Sequence, residues 1–245
     1  MANLIVDEGN TLCKIAVVEN NEVVCESCTP EFDMAMATQL VEQFAVQRAI
    51  VASTRGGGER ICAALSDKVE RVLHCTSQTE MPIAIRYSSR QTLGVDRIAV
   101  AVWVVRGMGI NDALVVDMGS AITFDVVEGG AFKGGNISPG VAMRFRALHE
   151  FTANLPLCER CEVTESFGSS TCEAIEQGVM QGVLHEIEGY QGAIFEKNRE
   201  NRIIFCGGDA ECFVNRIKNA IFAGRNLMFL GLNEILEYNV CKGNI

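Results

Sequence analysis

Two turns of similar composition, about half the chain apart, carry the residue types that phosphate and cation chemistry needs. The apolar run L-I-V at 4–6 ends in Asp7-Glu8-Gly9-Asn10-Thr11, and L-V-V at 114–116 ends in Asp117-Met118-Gly119-Ser120. A strand closing in Asp-x-Gly sets one carboxylate at its tip, while the glycine lets backbone N–H groups approach a ligand with no Cβ between them. Asn10, Thr11 and Lys14 add donors beside the first turn. Two such turns suit a polyphosphate gripped from both sides. Their carboxylates lie too close to phosphate for direct contact, so they would face water, Mg²⁺ or a monovalent cation. One such turn alone reads as an ordinary hairpin in which Asp and Gly satisfy local geometry.

The elements that must position these turns follow the same repeat. Strands are expected at 3–7, 12–19 and 22–27, the last two joined by the tight-hairpin dipeptide Asn20-Asn21. A helical spacing then runs from Asp33 to Val46, followed by a strand at 48–53 and a helix from about Glu59 to Lys68. The G-G-G at 56–58 lacks the Lys-Ser or Lys-Thr of a P-loop and reads as a flexible loop. A helix opens at Gly94-Val95-Asp96-Arg97 and ends near Arg106, where G-M-G-I-N-D supplies a boundary. Strands at 113–117, 121–127 and 131–137, a helix from Pro139-Gly140 to about 151, and a long helix at 171–197 follow. A strand at 203–205, a Gly207-Gly208 turn and helices near 210–222 and 226–238 complete the chain.

Placed side by side, the segments from Leu4 and Leu114 align at a constant offset of 110. The surrounding three-strand order matches too, which points to duplication of one unit. The expectation is an α/β chain of two lobes, 1–110 and 111–245, each with a mixed sheet opened by a three-stranded antiparallel meander, and a ligand cleft between them.

Composition excludes several classes of function. With 245 residues, of which 48% are hydrophobic, the chain can bury a sizeable core. The net charge of −10 is the wrong sign for accumulation on a phosphate backbone, so nucleic acid is not an expected partner. Its longest apolar runs fall short of a bilayer span, and the N-terminus lacks the basic start of a secretion signal, so no membrane partner and a cytoplasmic location are expected. Eleven cysteines in that setting read as reduced thiols. The pairs Cys25/Cys28 and Cys158/Cys161 have no histidine at ligand spacing. His74, His149 and His185 share no spacing that suggests a role.

Four motifs in order resemble the type III pantothenate kinases, members of the acetate and sugar kinase, heat-shock ATPase and actin superfamily. D-E-G-N-T at 7–11 is similar to the first phosphate motif, L-G-V-D-R at 93–97 to the substrate motif, D-M-G-S-A-I-T at 117–123 to the second phosphate motif, and G-G-N-I-S-P-G at 134–140 to the glycine turn that follows it. The resemblance implies duplicated ribonuclease H-like lobes of the actin-like ATPase kind. It implies ATP-dependent phosphorylation of pantothenate to 4'-phosphopantothenate, the first step towards coenzyme A, with Mg²⁺ and a monovalent cation, K⁺ or NH₄⁺. On this pattern Asp96 is the catalytic base, and Tyr87, Gly94, Val95, Asp96 and Arg97 line the pantothenate pocket. Asp7, Glu8, Gly9, Asn10, Thr11, Leu12, Cys13 and Lys14, with Ser120, contact ATP. Asp117 holds the monovalent cation, Gly207-Gly208 admits the adenosine, and Thr171 reaches pantothenate, often across a homodimer interface.

Physical chemistry supports part of this separately. Asp96 falls in the first turn of a helix, where the macrodipole favours its ionised form. In a loose phosphoryl-transfer transition state the hydroxyl proton leaves late, so alignment of a carboxylate matters more than its basicity. Arg97 cannot share the helical face of Asp96 and is free to address another polar group. Two residues depart from the family pattern. Ser120 stands where threonine is usual and keeps the hydroxyl. Glu8 adds a negative charge beside the proposed phosphates, although alternation along a strand turns it away from Asp7; weak ATP binding with strong dependence on divalent cation is expected. The competing readings are a nucleotide-binding regulatory protein on the same scaffold and a kinase of another small hydroxy compound.

Overall fold

The computed structural model describes residues 1–164, 166–195, 202–224 and 226–245. They divide into two compact units: Met1–Asn111 with Gly129–Lys133 and Asn226–Ile245, and Asp112–Glu128 with Gly134–Arg225.

The first unit carries β1 (Ala2–Glu8), β2 (Cys13–Glu19), β3 (Glu22–Thr29), β4 (Arg48–Ser53) and β5 (Arg71–Cys75) in one sheet of order β3-β2-β1-β4-β5. β1 pairs antiparallel with β2 and parallel with β4, and β4 runs parallel to β5. Alternation along β1 divides its side chains between two faces. Leu4 and Val6 join a core with Cys13, Ile15 and Val17 of β2, with α1 (Met34–Gln43), whose N-cap is Asp33, and with α2 (Gly58–Ser66). On the other face Asn3 bonds α6 (Leu227–Lys242), which packs along α3 (Val95–Arg106) so closely that a Cβ on Gly231 would lie 1.8 Å from the Ala99 carbonyl. α6 ends on Gly243 in the left-handed region (φ 75°). Tyr238 of α6 and Asn244 just beyond it donate to Glu80 and hold that exposed carboxyl below its usual range.

The second unit repeats the plan. β7 (Ala113–Met118), β8 (Ala121–Glu128), β9 (Ala131–Pro139), β10 (Arg202–Cys206) and β11 (Ala220–Phe222) follow the order β11-β10-β7-β8-β9. Here β7 is antiparallel to β8 and parallel to β10, and β10 is parallel to β11. Their core is closed by α4 (Val141–Glu150) and α5 (Thr171–Phe195), with Phe145, Met180, Val183 and Ile187 buried against Phe124 and Phe205. Five strands in the same order in both units, with the pairings about β1 and β7 in the same directions, are what duplication of one ribonuclease H-like unit produces. The hairpin dipeptides match as well: Asn20-Asn21 have φ of 52° and 62°, Gly129-Gly130 of 57° and 69°.

The constant offset of 110 holds only as far as the turns. Asp7 stands opposite Lys14, but Asp117 stands opposite Thr123. The second turn is one residue shorter, so Lys14 corresponds to Thr123 and Asn20 to Gly129. A string comparison slides past such a deletion, because the residues on either side are apolar in both copies.

Three further expectations change. The helix near 210–222 is replaced by 3₁₀ turns at Ala210–Cys212 and Val214–Arg216 and the edge strand β11. Phe213 and Ile217 bury without a helix there, and Asn219 at φ 64° breaks the run before the Ala-Ile-Phe strand. The G-G-G at 56–58 is not slack: a Cβ on Gly57 would meet Glu8 Oε2 at 2.4 Å, and one on Gly58 would meet His74 Nε2 at 2.2 Å. The short β5 and β6 (Ala84–Ile85) carry no alternation long enough to announce them. Of the expected helix 171–197, positions 196 and 197 lie outside the described residues.

Candidate active site

In the first unit, Gly9 N–H closes the β1–β2 turn on the Leu12 carbonyl at 3.0 Å. Asp7 is buried at the strand tip, with Lys14 directly opposite it, and the intervening Asn10, Thr11 and Leu12 are exposed. The turn is strapped from the neighbouring loop: Thr54 N–H and Oγ1 donate to the Glu8 carbonyl at 2.9 and 3.1 Å, and Arg55 Nε donates to the Gly9 carbonyl at 2.6 Å. Cys13 points into the core, so only its backbone is available at the turn. Burial pushes its thiol up to about 11, and the Glu8 and Asp7 carboxylates push in the same direction. Arg55 acts in the opposite direction, so the turn carries charges of both signs.

Glu8 now has a structural account. Its side chain leaves the strand on the face opposite Asp7, is 4% exposed, and accepts from Ser53 Oγ at 2.5 Å and from Gly57 N–H at 3.1 Å. Only a glycine at 57 leaves room for that carboxylate. Glu8→Val takes the acceptor from the Ser53 hydroxyl and leaves the Gly57 N–H with Ser53 Oγ alone, at 3.0 Å, and is expected to cost about 1–2 kcal/mol of stability in urea unfolding. Were the charge acting on phosphates instead, the same variant would tighten ATP binding. Titration of ATP at several ionic strengths distinguishes the two outcomes.

The second expected cluster also forms inside the first unit. β6 pairs in parallel with Ala131-Phe132, and Arg86 N–H donates to the Phe132 carbonyl at 2.7 Å, which sets Tyr87 edge-on to the Phe132 ring at 6.1 Å. Arg97, in the first turn of α3, is buried and lies over the same ring at 5.7 Å. Beside it Asp96 Oδ1 accepts the Arg97 N–H at 2.9 Å, and a Cβ on Gly94 would fall 2.3 Å from that oxygen. Gly94 is thus the residue that lets the carboxylate fold over the helix start, with Val95 half-buried between them.

Sequence reasoning missed Phe132. Its only signal was membership of the strand expected at 131–137, and nothing local shows that a residue 35 positions after Arg97 supports both Tyr87 and Arg97. Phe132→Leu removes one edge-on aromatic contact and one cation–π contact, and is expected to raise the KM for the hydroxyl substrate about tenfold with a smaller change for ATP. Steady-state kinetics with each substrate varied in turn checks this.

In the second unit, Asp117 ends β7 and the Gly119 N–H closes the turn on the Ala121 carbonyl at 3.1 Å. Ser120 is exposed at its tip. Gly140, the N-cap of α4, presses on the turn: a Cβ there would lie 2.4 Å from the Ser120 carbonyl oxygen and 2.5 Å from that of Gly119. Gly207, at φ 89°, approaches from β10, and its Cβ would lie 2.5 Å from Asp117 Oδ1. Buried Asp125 on β8 accepts from Thr123 Oγ1 at 3.1 Å, and Gly135 passes tightly over it. A pocket of about 380 Å³ opens beside Asp209, walled by Val141, Phe145 and Leu157, with the Arg160–Asp209 ion pair at 2.6 Å on its rim. Thr171 is exposed at the start of α5, where Ser169 N–H and Oγ donate to Glu173 at 2.8 and 2.6 Å and hold its carboxyl below the usual range.

A family model for type III pantothenate kinase matches residues 3–192. The chain belongs to the type III pantothenate kinase family. The relatives of this kinase family include a type III pantothenate kinase of Porphyromonas gingivalis strain W83, 38% identical over 97% of this chain and 99% of that protein. One of Bacteroides fragilis is 37% identical over 97% and 98% of the two chains. The fold is shared more widely. A Campylobacter jejuni structure described as a candidate Baf family transcriptional activator has a TM-score of 0.63 at 22% identity, covering 97% of this chain and 99% of that one. A Listeria monocytogenes protein described as a candidate N-acetylmannosamine kinase has a TM-score of 0.52 at 14% identity, covering 98% and 100%. For a pantothenate kinase the two Asp-x-Gly turns and the Asp96 helix start are the features to explain. No helix among the described residues is long and apolar enough to cross a membrane.

Proposed function

We propose that the chain transfers the γ-phosphoryl group of ATP to the primary hydroxyl of pantothenate, giving 4'-phosphopantothenate and ADP. The observation that carries this reading, in a member of this family, is the group at the start of α3: Asp96 folded over Gly94, with Arg97 and Tyr87 held on the Phe132 ring. Asp96 accepts a hydrogen bond from the hydroxyl and takes its proton as the oxygen bonds to phosphorus. The bond from phosphorus to the bridging oxygen breaks, and its electron pair leaves with ADP. The buried Arg97 and the half-buried Tyr87 bind the remaining polar groups of pantothenate.

The β1–β2 turn, with Asn10, Thr11 and Lys14, and the β7–β8 turn, with Ser120, serve the phosphates. Glu8 acts at a distance, by fixing the 53–57 loop that straps the first turn. The surroundings of Asp117 fit a monovalent cation: Gly207 and Gly119 keep backbone rather than Cβ atoms around its Oδ1. Asp117 would hold K⁺ or NH₄⁺ there, offsetting phosphate charge. Mg²⁺ accompanies the nucleotide and offsets the charge of its phosphates. The pocket beside Asp209, next to the Gly207-Gly208 turn, takes the adenosine. Thr171 serves pantothenate across a homodimer, and the enzyme is cytoplasmic.

ADP release in the presence of ATP, Mg²⁺ and pantothenate, with and without K⁺, tests the proposal. Turnover that does not depend on pantothenate, or no turnover, would sink it. The first outcome would mean transfer of the phosphoryl group to water, and the second would favour a kinase of another hydroxy compound or a regulatory nucleotide-binding protein, which a panel of other hydroxy acceptors separates.

A further inference from the structure

The two Asp-x-Gly turns differ in the residue that faces the aspartate. Asp7 stands directly opposite Lys14 on β2, and Asp117 stands directly opposite Thr123 on β8. Residues opposite one another on antiparallel strands project from the same face of the sheet, with Cβ atoms about 4.5–5.5 Å apart. Duplication has therefore kept one carboxylate in each turn and changed its neighbour from an ammonium to a hydroxyl.

The next pair along the same face changes as well. Ile5 faces Ala16 in the first unit, and Val115 faces Asp125 in the second. Where the first unit has a buried methyl group, the second has a carboxylate that is 2% exposed and accepts from Thr123 Oγ1 at 3.1 Å. A hydroxyl has one proton and two lone pairs, and a carboxylate only accepts. With its proton directed to Asp125, Thr123 has lone pairs alone to offer elsewhere. The first turn thus sets a positively charged donor, the exposed Lys14, beside its aspartate. The second sets an oxygen atom there, the ligand type that hard cations take.

We propose that the monovalent cation takes the place of a lysine. At the second turn it carries the positive charge that the Lys14 ammonium carries at the first, with Asp117 and Thr123 as its side-chain ligands. Thr123 is then the residue that makes the chain depend on the ion. This rests on the phosphoryl-transfer reading above, in which both turns serve the phosphates and Asp117 holds the cation. A lysine ammonium is a compact charge on a flexible stem. Placed at position 123, on the strand position that Lys14 holds in the other unit, it supplies the same charge without the ion.

The test uses the full chain and reads binding rather than turnover. ADP with Mg²⁺ is titrated calorimetrically, and unfolding midpoints are measured with it bound, in KCl and in choline chloride at matched ionic strength. For the parent, K⁺ is expected to tighten ADP about tenfold over choline, with a matching rise in midpoint. Thr123→Lys should bind ADP in choline within about threefold of the parent in KCl, and K⁺ should then change its affinity by less than about twofold. Thr123→Ser keeps the hydroxyl and should keep the parent's response, whereas Thr123→Val should reduce the K⁺ effect to about twofold. A folded Thr123→Lys that responds to K⁺ as the parent does, or that binds ADP in choline no better than the parent in choline, overturns the proposal. If that variant does not fold, the other two decide: an undiminished K⁺ effect in Thr123→Val, or its loss in both, overturns it. A parent with no K⁺ effect takes the ion away from Asp117, and this proposal with it. Pantothenate-dependent ADP release in the parent tests the kinase reading separately, so its failure with the K⁺ effects intact leaves the role of Thr123 standing.

Discussion

Replacing Asp96 by asparagine is expected to lower pantothenate-dependent ADP release by about 10²–10⁴-fold, with little change in unfolding stability. The substitution keeps the atom that the fold uses, because the amide oxygen still accepts the Arg97 N–H that Asp96 Oδ1 accepts at 2.9 Å. It removes only the capacity to take a proton. The expected loss corresponds to about 3–5 kcal/mol of transition-state stabilisation, at 1.36 kcal/mol per decade. The KM values for ATP and pantothenate should move far less than kcat, since a carboxamide can still accept a hydrogen bond from the ground-state hydroxyl. If kcat survives within a few-fold, Asp96 is a helix-start carboxylate and nothing more, and the base lies elsewhere. If KM for pantothenate rises while kcat holds, its role is binding.

That prediction could be framed from the sequence, and the reason is physical. A carboxylate one residue inside a helix, preceded by glycine, is a local pattern; so is a strand that ends in Asp-x-Gly. The two sheets were legible for the same reason, because alternation, hairpin dipeptides and a helix opening at glycine are short-range signals. What could not be read were contacts between distant segments. Phe132 supports Tyr87 and Arg97 only because β6 pairs with β9, and β6 has two residues. Glu8 looked anomalous beside phosphates because its partners, Ser53 at the end of β4 and Gly57 at the start of α2, lie 45 and 49 positions later. The G-G-G sequence was the available clue: a run of glycine marks either slack or close approach, and composition alone does not say which. The one-residue deletion in the second turn escaped notice because apolar flanks tolerate a slip in alignment, whereas a strand does not. A slip of one in the structure would turn Thr123 and Asp125 to the other face.

Gly207 offers the sharpest test of the second unit. Gly207→Ala is expected to destabilise the protein by about 2–5 kcal/mol and to reduce kcat/KM for ATP about 100-fold, two effects with separate origins. The first combines the cost of a side chain at φ 89°, about 1–2 kcal/mol, with overpacking, about 1–3 kcal/mol. The obstacle is backbone: the new Cβ would lie 2.6 Å from Met118 N and C, where no rotamer change gives relief. The second origin is the contact at 2.5 Å with Asp117 Oδ1. Either that carboxylate or the end of β7 must move, and a displacement of about 1 Å at the turn proposed to bind phosphate and a cation is enough to cost two decades. Activation by K⁺ should weaken in parallel, because the displaced group is the proposed cation ligand. The neighbouring Gly208→Ala is the control. A Cβ there meets nothing within 4 Å, so its stability should stay within about 0.5 kcal/mol of the parent. Urea unfolding of both variants, with ATP titrations at several K⁺ concentrations, gives the comparison. Equal losses at 207 and 208 would mean that turn flexibility, not clearance around Asp117, is what the pair of glycines provides. Loss of stability at 207 with K⁺ activation intact would take the cation away from Asp117.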